Sequence, residues 1–300
     1  MGDKSGMTAE ELRIILKKLG VSGAESVSVR AFTSDEDGSE YAVWLVDSGD
    51  EKEVLKRAKG HELEVYESFF TDRKPYAPAL LGVCEYDGER YFLTEYCPGD
   101  DLRVCDRERL VMALDALITA QNEFWGHKEL SHAAVGFDMA VKAVTERGKY
   151  LGSPLLDEAY ARFLEVFERT PLTLCHDDLL PVNVLVGDRA VLIDWECGGM
   201  HPYPESIARL IAHGREEKDA FFYLTAADRG FAIEYYYNCL VKKHGIAYDE
   251  YIETLDCFLF YEYCEWIMLG NRYGNKGDER YGYYTRLADE TARKMLRGRT

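Results

Sequence analysis

The periodicity of apolar residues changes at Cys97-Pro98-Gly99. Apolar and polar residues alternate before this point, and helical periodicity follows it. Before this break the pattern predicts a helix after a capping box at residues 8–11, a second helix over 61–70, and a tight hairpin turn at Asp87-Gly88. Strands are predicted over residues 26–32, 41–47, 53–57, 79–86 and 90–96. This order of three strands, one helix and two strands predicts a β-rich N-terminal lobe spanning residues 1–97.

Helical patterns dominate after the break. They cover residues 107–124, 131–146 and 156–168, and Asp106 is the expected N-cap of the first. A β-rich interruption follows over residues 171–175, 182–186 and 190–194. No proline follows Pro204, so the rest of the chain is free to form a stack of helices. Residues 98–300 are therefore predicted to form a second, mainly helical lobe.

Composition excludes several classes of protein. With 47% hydrophobic and 30% charged residues, the chain can bury a globular core, and its net charge of −18 argues against nucleic-acid partners. No apolar run reaches the roughly 18 residues of a membrane span, and the N-terminus lacks the apolar stretch of a signal peptide. A cytoplasmic protein without membrane partners is therefore expected. The eight cysteines form no C-x-x-C pair, which favours reduced, buried thiols over a zinc site.

The most informative stretch contains His176, Asp178 and Asn183, with Asp194 eleven positions after the asparagine. Chance would place the pattern H-x-D-x-x-x-x-N in only about one chain in a hundred of this composition. These residue types suit phosphoryl transfer from a nucleotide. One carboxylate orients and deprotonates a hydroxyl, while an amide oxygen and a second carboxylate hold Mg²⁺. A hairpin between Asn183 and Asp194 can bring the two metal ligands together.

This pattern, followed by Ile193-Asp194-Trp195-Glu196, resembles that of the aminoglycoside phosphotransferase and choline kinase superfamily. The resemblance implies an α+β, two-lobed protein-kinase-like fold, with a five-stranded antiparallel sheet and one helix in the N-terminal lobe. It implies that Asp178 is the catalytic base, that His176 supports the catalytic loop, and that Asn183 and Asp194 bind Mg²⁺. ATP or GTP would be the phosphoryl donor.

The sequence departs from this family pattern at two positions. The glycine usual between the histidine and the aspartate is Asp177, which places a second charge beside the candidate base. A later Asp-Leu-Ala triplet of the family is Ser206-Ile207-Ala208 here, so a supporting carboxylate is missing unless Glu205 replaces it.

A phosphate-binding lysine is expected on the third strand of a kinase-like fold, and Lys56 is the candidate. Its partner should lie on the next helix. Glu62 is favoured over Glu64 and Glu67, because Glu62 and Tyr66 share a helix face in the spacing that related sequences show.

The remaining nucleotide contacts are expected in a loop and a hinge. The loop between the first two strands offers Gly38 and Ser39, whose N–H groups could hold phosphate, although a plain exposed turn fits this glycine-poor loop equally well. The hinge over residues 93–97 would contact the base, with these candidates: Thr94, Glu95, Tyr96 and Cys97.

Only seven residues separate Asp194 from Pro202, too few for the segment on which protein kinases dock a peptide. A small hydroxylated acceptor is therefore expected: an aminoglycoside, a choline-like amine or a sugar. Aromatic and acidic residues near the C-terminus could cage a cationic acceptor, although a buried aromatic core with a solvated acidic face fits them as well. The candidate acceptor contacts are Asp177, Glu196, Glu262, Glu265 and Trp266.

Two alternatives stay open besides a small-molecule kinase. A protein kinase is disfavoured by the short spacing just described. A catalytically silent nucleotide-binding or regulatory protein is favoured by Asp177, Ser206 and the glycine-poor loop, but it would not be expected to keep the complete set of Lys56, Asp178, Asn183 and Asp194. A monomer and a homodimer are both compatible with the sequence.

Overall fold

The first helix, α1 (Ala9–Lys18), begins at the predicted capping box. Thr8 Oγ1 accepts a hydrogen bond from the Glu11 N–H at 3.2 Å, and Glu11 Oε2 accepts one from the Thr8 N–H at 2.7 Å. The structure is a computed structural model, and it describes residues 7–33, 38–103, 105–217 and 220–297. Apolar residues of α1, including Ile15, are buried against Trp44 and Leu55 of the neighbouring sheet.

Five strands form an antiparallel sheet in the order β1-β2-β3-β5-β4. The strands are β1 (Ser28–Thr33), β2 (Glu40–Asp47), β3 (Lys52–Arg57), β4 (Leu80–Tyr86) and β5 (Glu89–Glu95). One helix, α2 (Glu62–Phe69), lies between β3 and β4 in the chain. Asp87 and Gly88 turn β4 into β5 with φ values of 52° and 77°, typical of a type I′ turn. The structure confirms the expected kinase-like arrangement of this region.

The second half of the chain is mainly helical, as expected. Its helices are α3 (Arg107–Phe124), α4 (Phe137–Gly148), α5 (Pro154–Arg169), α6 (Pro204–Ala212), α7 (Ala226–Cys239), α8 (Tyr248–Tyr273) and α9 (Glu279–Arg297). The prediction for α3 and its Asp106 cap is confirmed. The prediction that α4 begins near residue 131 is wrong, because Ala134 has a positive φ of 50° and bridges to Gly199 instead.

Short strands hold the segment that contains His176 and Asp194. The predicted strands are β7 (Leu172–Cys175), β8 (Val184–Val186) and β9 (Ala190–Leu192). Sequence patterns missed β6 (Asp100–Asp101), which pairs with β8, and β10 (Gly199–Pro202), which pairs antiparallel with β7. Both are too short to show alternation, and both are recognised only through their partners. Because Gly199 lies opposite Cys175, the β7–β10 ladder fixes the chain immediately before His176.

The larger hydrophobic core includes residues from both sides of the predicted lobe boundary. Phe70, at the end of α2, contacts the buried Trp195 with ring centroids 5.0 Å apart, and Phe69 contacts Phe124 of α3 at 5.3 Å. All eight cysteines are free thiols, of which Cys175, Cys257 and Cys264 are buried. Within the described part of the chain, the helices lack the combination of length and apolarity needed to cross a bilayer.

Candidate active site

The candidate catalytic loop begins at His176, whose buried ring joins two other stretches of chain. The ring Nε2–H donates to the Ile193 carbonyl at 2.7 Å, and the His176 backbone N–H donates to Ser206 Oγ at 2.9 Å. Burial favours the uncharged ring and lowers the pKa of His176. His176 therefore ties the loop both to the residue before Asp194 and to α6.

Asp178 lies on the same loop with its side chain about one third exposed (35%). Its Oδ1 accepts hydrogen bonds from Arg209 Nη2 at 2.8 Å and Nε at 3.2 Å. Asn183 Nδ2 donates to the Asp178 backbone carbonyl at 2.8 Å and lies 3.4 Å from Oδ2. One carboxylate oxygen is thus held by a guanidinium, while the other lies beside Asn183.

The β8–β9 hairpin returns Asp194 to this loop, as the spacing predicts. The Ile193 N–H donates to the Asn183 carbonyl at 2.9 Å, and Asp194 takes a left-handed φ of 64°. The Asp194 side chain is nearly half exposed (46%), and its Oδ1 lies 3.7 Å from Nζ of Lys56. The structure therefore brings the candidate metal ligands and the candidate lysine into one cleft.

Lys56, on β3, forms an ion pair with Glu62 of α2 at 2.5 Å. Of the three acids considered from the sequence, Glu62 is the one beside the lysine, since Glu64 and Glu67 pair with other residues. Burial disfavours the charged ammonium, but the carboxylates of Glu62 and Asp194 outweigh it and raise the pKa of Lys56. The lysine is consequently a fixed positive charge at this end of the sheet.

The donor chemistry of Asn183 and Asp194 fits Mg²⁺. The Asn183 amide nitrogen is used by the Asp178 carbonyl, so the amide oxygen is the atom left to bind a cation. Asp194 adds an accessible carboxylate, and hard oxygen donors of these two types are the ones that Mg²⁺ selects.

A model of the phosphotransferase enzyme family matches residues 28–238, which is more than half of the chain. The chain belongs to this phosphotransferase family. The matched range contains the candidate nucleotide, metal and catalytic residues described above.

Comparisons with individual proteins agree with this membership. Protein LicA of Haemophilus influenzae is 29% identical over 142 residues, 47% of this chain and 50% of LicA. The chain thus spans about half the length of that curated relative. A mutant aminoglycoside phosphotransferase APH(4)-Ia in complex with ADP and hygromycin B has a TM-score of 0.57 at 16% identity, with 94% of this chain and 97% of that one covered. Aminoglycoside phosphotransferase APH(3'')-Id from Streptomyces rimosus, with ADP and streptomycin, gives 0.52 at 17% identity, covering 85% and 98%. At such identities these structures show a shared fold.

The residues of the expected hinge, 93–97, lie on β5 and directly after it. Thr94 is buried on β5 between Val54 and Leu80, and the Glu95 carboxylate accepts hydrogen bonds from Arg73 at 2.6 Å and Arg189 at 3.0 Å. The same Arg189 Nη2 lies 3.8 Å from Cys97 Sγ, and Lys52 Nζ lies 5.9 Å from the centre of the Tyr96 ring. The Glu95 side chain is thus already paired with two arginines of the chain. Contacts with a nucleotide base would therefore come from other atoms of residues 93–97.

Gly38 and Ser39 lie exposed immediately before β2. Gly38 has a positive φ of 69°, and a Cβ there would meet no atom within 4 Å. The rest of the candidate phosphate loop, residues 34–37, lies outside the described residues. The contribution of Gly38 and Ser39 to phosphate binding stays a prediction.

Asp177 and Ser206, the two departures from the family pattern, both contact neighbouring elements. Ser206 Oγ accepts the His176 backbone N–H, while Glu205 turns to His201, whose Nδ1 lies 3.1 Å from Glu205 Oε2. A carboxylate oxygen of Asp177 lies within 4.8 Å of both groups. Glu205 thus lies beside His201 and Asp177 rather than at the His176 N–H, and its replacement of the missing carboxylate stays a prediction.

We expect the folded protein to lose stability as the pH rises from about 6.5 to about 9. Burial disfavours a charged His201, but the acidic pair of Glu205 and Asp177 outweighs burial and raises the His201 pKa from 6.5 to about 9. Burial and the charge of Asp177 raise the pKa of Glu205 to about 8, which acts in the same direction. Between the unfolded and folded pKa values the native state keeps protons that the unfolded chain releases. The stabilisation is therefore complete below the unfolded values and lost as the pH rises through the folded ones.

Thermal melts across this pH range test the expectation. The Tm of the wild type should fall by about 5 °C more than that of His201→Gln, which cannot hold the extra proton. Equal slopes for the two proteins would show that His201 does not take up a proton on folding.

The C-terminal acids expected to cage a cationic acceptor already hold a cation from the chain. Glu262 Oε2 accepts from Arg209 Nη1 at 2.9 Å, and Glu265 pairs with the same nitrogen. Phe258 lies in the core, as the alternative predicted. Glu262, however, is only 3% exposed, so the prediction of a solvated acidic face is wrong for it. Arg209 thus links the candidate base Asp178 to both acids.

Trp266, the aromatic member of the expected cage, stacks on Tyr284 with ring centroids 5.8 Å apart. The guanidinium of Arg280 lies 4.3 Å from the centre of the Trp266 ring. A side chain of the protein therefore occupies the position over this ring that a cationic acceptor would need.

Glu196 lies against the N-terminal half rather than against the C-terminal acids. Its carboxylate is 3.0 Å from Lys59 Nζ, and its backbone carbonyl accepts the His61 N–H at 3.0 Å. Gly60 permits this approach, because its φ is 53° and a Cβ would lie 3.0 Å from the Glu196 carbonyl oxygen. Glu196 therefore joins the segment after β3 to the segment after Asp194.

Sequence reasoning missed Arg209, which touches the candidate base. A signal was present, because Arg209 lies three residues after Ser206, and residues at this spacing share one face of a helix. Since Ser206 faces the catalytic loop, an arginine on the same face was a candidate to reach Asp178.

Proposed function

We propose that this chain is a small-molecule kinase that transfers the γ-phosphoryl group of ATP or GTP to a hydroxyl of a small acceptor. The observation behind the proposal is the ion pair of Lys56 with Glu62, 3.7 Å from Asp194. From Asp194 the contacts continue through Ile193 and Asn183 to Asp178. Residues 1–97 would hold the nucleotide, and residues 98–300 would supply the catalytic loop and the acceptor site.

Each residue has a distinct role in this proposal. Lys56, held by Glu62, binds the α- and β-phosphates, and Asn183 and Asp194 would hold Mg²⁺. When bound, the metal offsets the negative charge of the phosphates. Asp178 orients the acceptor hydroxyl and accepts its proton as the new oxygen–phosphorus bond forms and the β–γ bridge breaks, releasing the nucleoside diphosphate. Catalysis would therefore rest on positioning and charge compensation.

The spacing after Asp194 supports a small acceptor over a peptide. Of the seven residues before Pro202, three lie in β10, which is paired with β7 along its length. Among the other residues, Trp195 is buried in the core and Glu196 lies against the N-terminal half. This segment is therefore too short to bind a protein substrate as well.

A catalytically silent protein is the alternative, and an acceptor panel distinguishes the two. Purified protein with Mg²⁺ and either ATP or GTP would be offered hygromycin B, streptomycin, choline and simple sugars, with products identified by mass spectrometry. We expect at least one acceptor to gain a phosphoryl group in equal amount to the nucleoside diphosphate released. Tight nucleotide binding without turnover of the panel or of water would favour the silent alternative.

A further inference from the structure

One of the two departures from the family pattern, Asp177, belongs to a cluster of three titratable side chains. Asp177 stands where the family has glycine, and its carboxylate lies within 4.8 Å of the His201 ring and the Glu205 carboxylate. Glu205 directly precedes Ser206, which stands where the family has aspartate. Compared with the family pattern, the chain lacks a carboxylate at position 206 and has an additional one at position 177. The carboxylate at position 177 lies close to Glu205, the residue before Ser206.

The backbone at Asp177 has a conformation that favours glycine. Its φ is 57°, a left-handed conformation that glycine adopts readily and that most other residues avoid. Glycine would therefore fit this turn with less strain. Aspartate adopts this conformation more readily than most other residues, so its side-chain contacts are compatible with this turn.

Asp177 is half-buried, and the two polar side chains beside it are buried. His201 is fully buried and Glu205 is 2% exposed. The His201 Nε2–H donates to the Val135 carbonyl at 3.0 Å, and Nδ1 lies 3.1 Å from Glu205 Oε2. Because His201 lies on β10, Glu205 on α6 and Val135 just before α4, the cluster connects three elements around the catalytic loop.

The charges around Asp177 keep it ionised. Burial opposes ionisation, but the adjacent Glu205 carboxyl group and the nearby charges of His201, Arg147 and Arg209 outweigh burial and lower the pKa of Asp177. Burial and the charge of Asp177 raise the pKa of Glu205 to about 8, so that Glu205 and Asp177 can share one proton. A proton shared between these two carboxyl groups would make a directional link between the 176–178 turn and α6.

We propose that Asp177 is a positioning residue whose carboxylate anchors the catalytic loop to Glu205 and His201 and thereby fixes the direction of the Asp178 carboxylate. Ser206 satisfies the His176 N–H but brings no charge. This inference rests on the proposed function, because Asp177 acts through Asp178.

Asp177→Gly and Asp177→Asn form a matched pair for the test. Glycine suits the positive φ and removes the anchor, so Asp177→Gly should fold with an unchanged or higher Tm. Its kcat should fall about tenfold or more, with the KM for nucleotide within about twofold, since small misplacements of a catalytic group have effects of this size. Asparagine tolerates positive φ and keeps an oxygen that can accept from Glu205, so Asp177→Asn should stay within about threefold of wild type.

The assay uses Mg²⁺ and ATP, with the acceptor identified in the panel or with water when none is found. Wild-type protein that shows neither transfer nor hydrolysis would overturn the proposed function and this inference together. Active wild type with an equally active Asp177→Gly would overturn this inference alone. So would parallel losses of activity and Tm in both variants, which indicate a general structural role.

The same three side chains are also types that bind metal ions, and this is tested separately. Plasma mass spectrometry of purified wild type should find no metal in stoichiometric amount after dialysis against chelator, and the chelated protein should keep its Tm. A stoichiometric metal that Glu205→Gln loses would overturn the inference in favour of a structural metal site.

Discussion

Replacing Asp178 with asparagine should lower kcat by about 10²- to 10⁴-fold, the usual contribution of a general base. Asparagine has nearly the same shape and keeps an oxygen for Arg209, but it cannot accept the proton of an acceptor hydroxyl. The fold should be preserved, because Arg209 keeps its partners Glu262 and Glu265 and is not left as an unpaired buried charge. Steady-state kinetics with Mg²⁺ and the better of ATP and GTP measure the effect.

Nucleotide binding provides the control for this variant. Since Asp178 acts on the acceptor, the Kd for nucleotide should stay within about threefold of wild type. An Asp178→Asn protein that keeps more than about one tenth of the wild-type kcat would show that Asp178 is not the base.

Replacing Lys56 with methionine should lower kcat/KM for nucleotide by about 10²-fold, a loss that corresponds to removing one charge-assisted contact in a water-excluded site. The same change leaves Glu62, which is 3% exposed, without its cation. Breaking a buried ion pair from one side costs about 3–5 kcal/mol of stability. Lys56→Met should therefore be impaired in both activity and stability.

The double variant Lys56→Met with Glu62→Gln separates these two effects. Removing both charges should recover most of the Tm lost in the single variant, because the buried uncompensated carboxylate is gone. Activity should not recover, since the phosphate-binding charge is still missing. Recovery of kcat/KM together with Tm would contradict a phosphate-binding role for Lys56 and leave it a purely structural one.

The parts of the fold that were predictable from the sequence are those governed by local pattern. The alternation in β2, the Asp87-Gly88 turn and the Asp106 cap each depend on neighbouring residues, and the structure confirms them. The start of α4 and the strand β10 were missed, because both depend on a pairing with chain far away in sequence. No local signal distinguishes Gly199–Pro202 from an ordinary loop.

The same division applies to the candidate site. The spacing of Asn183 and Asp194 predicted their contact through a hairpin, and helix periodicity favoured the glutamate that lies beside Lys56. The acceptor side was not predictable in this way. Arg209 reaches Asp178 across 31 positions and Glu262 across 53, so its pairing depends on how α6 packs against α8.

In the proposed function, Lys56, Asn183 and Asp194 form a metal-dependent nucleotide site beside Asp178. Calorimetric titration tests this site most directly. ATP and GTP would be titrated separately into the full chain with Mg²⁺, with excess chelator, and into Asp194→Asn with Mg²⁺. We predict binding of at least one nucleotide at a one-to-one ratio with Mg²⁺, and affinity at least about tenfold weaker in the other two conditions. Absence of binding by either nucleotide in the presence of Mg²⁺, or binding that is indifferent to both the metal and Asp194, would contradict the proposed site.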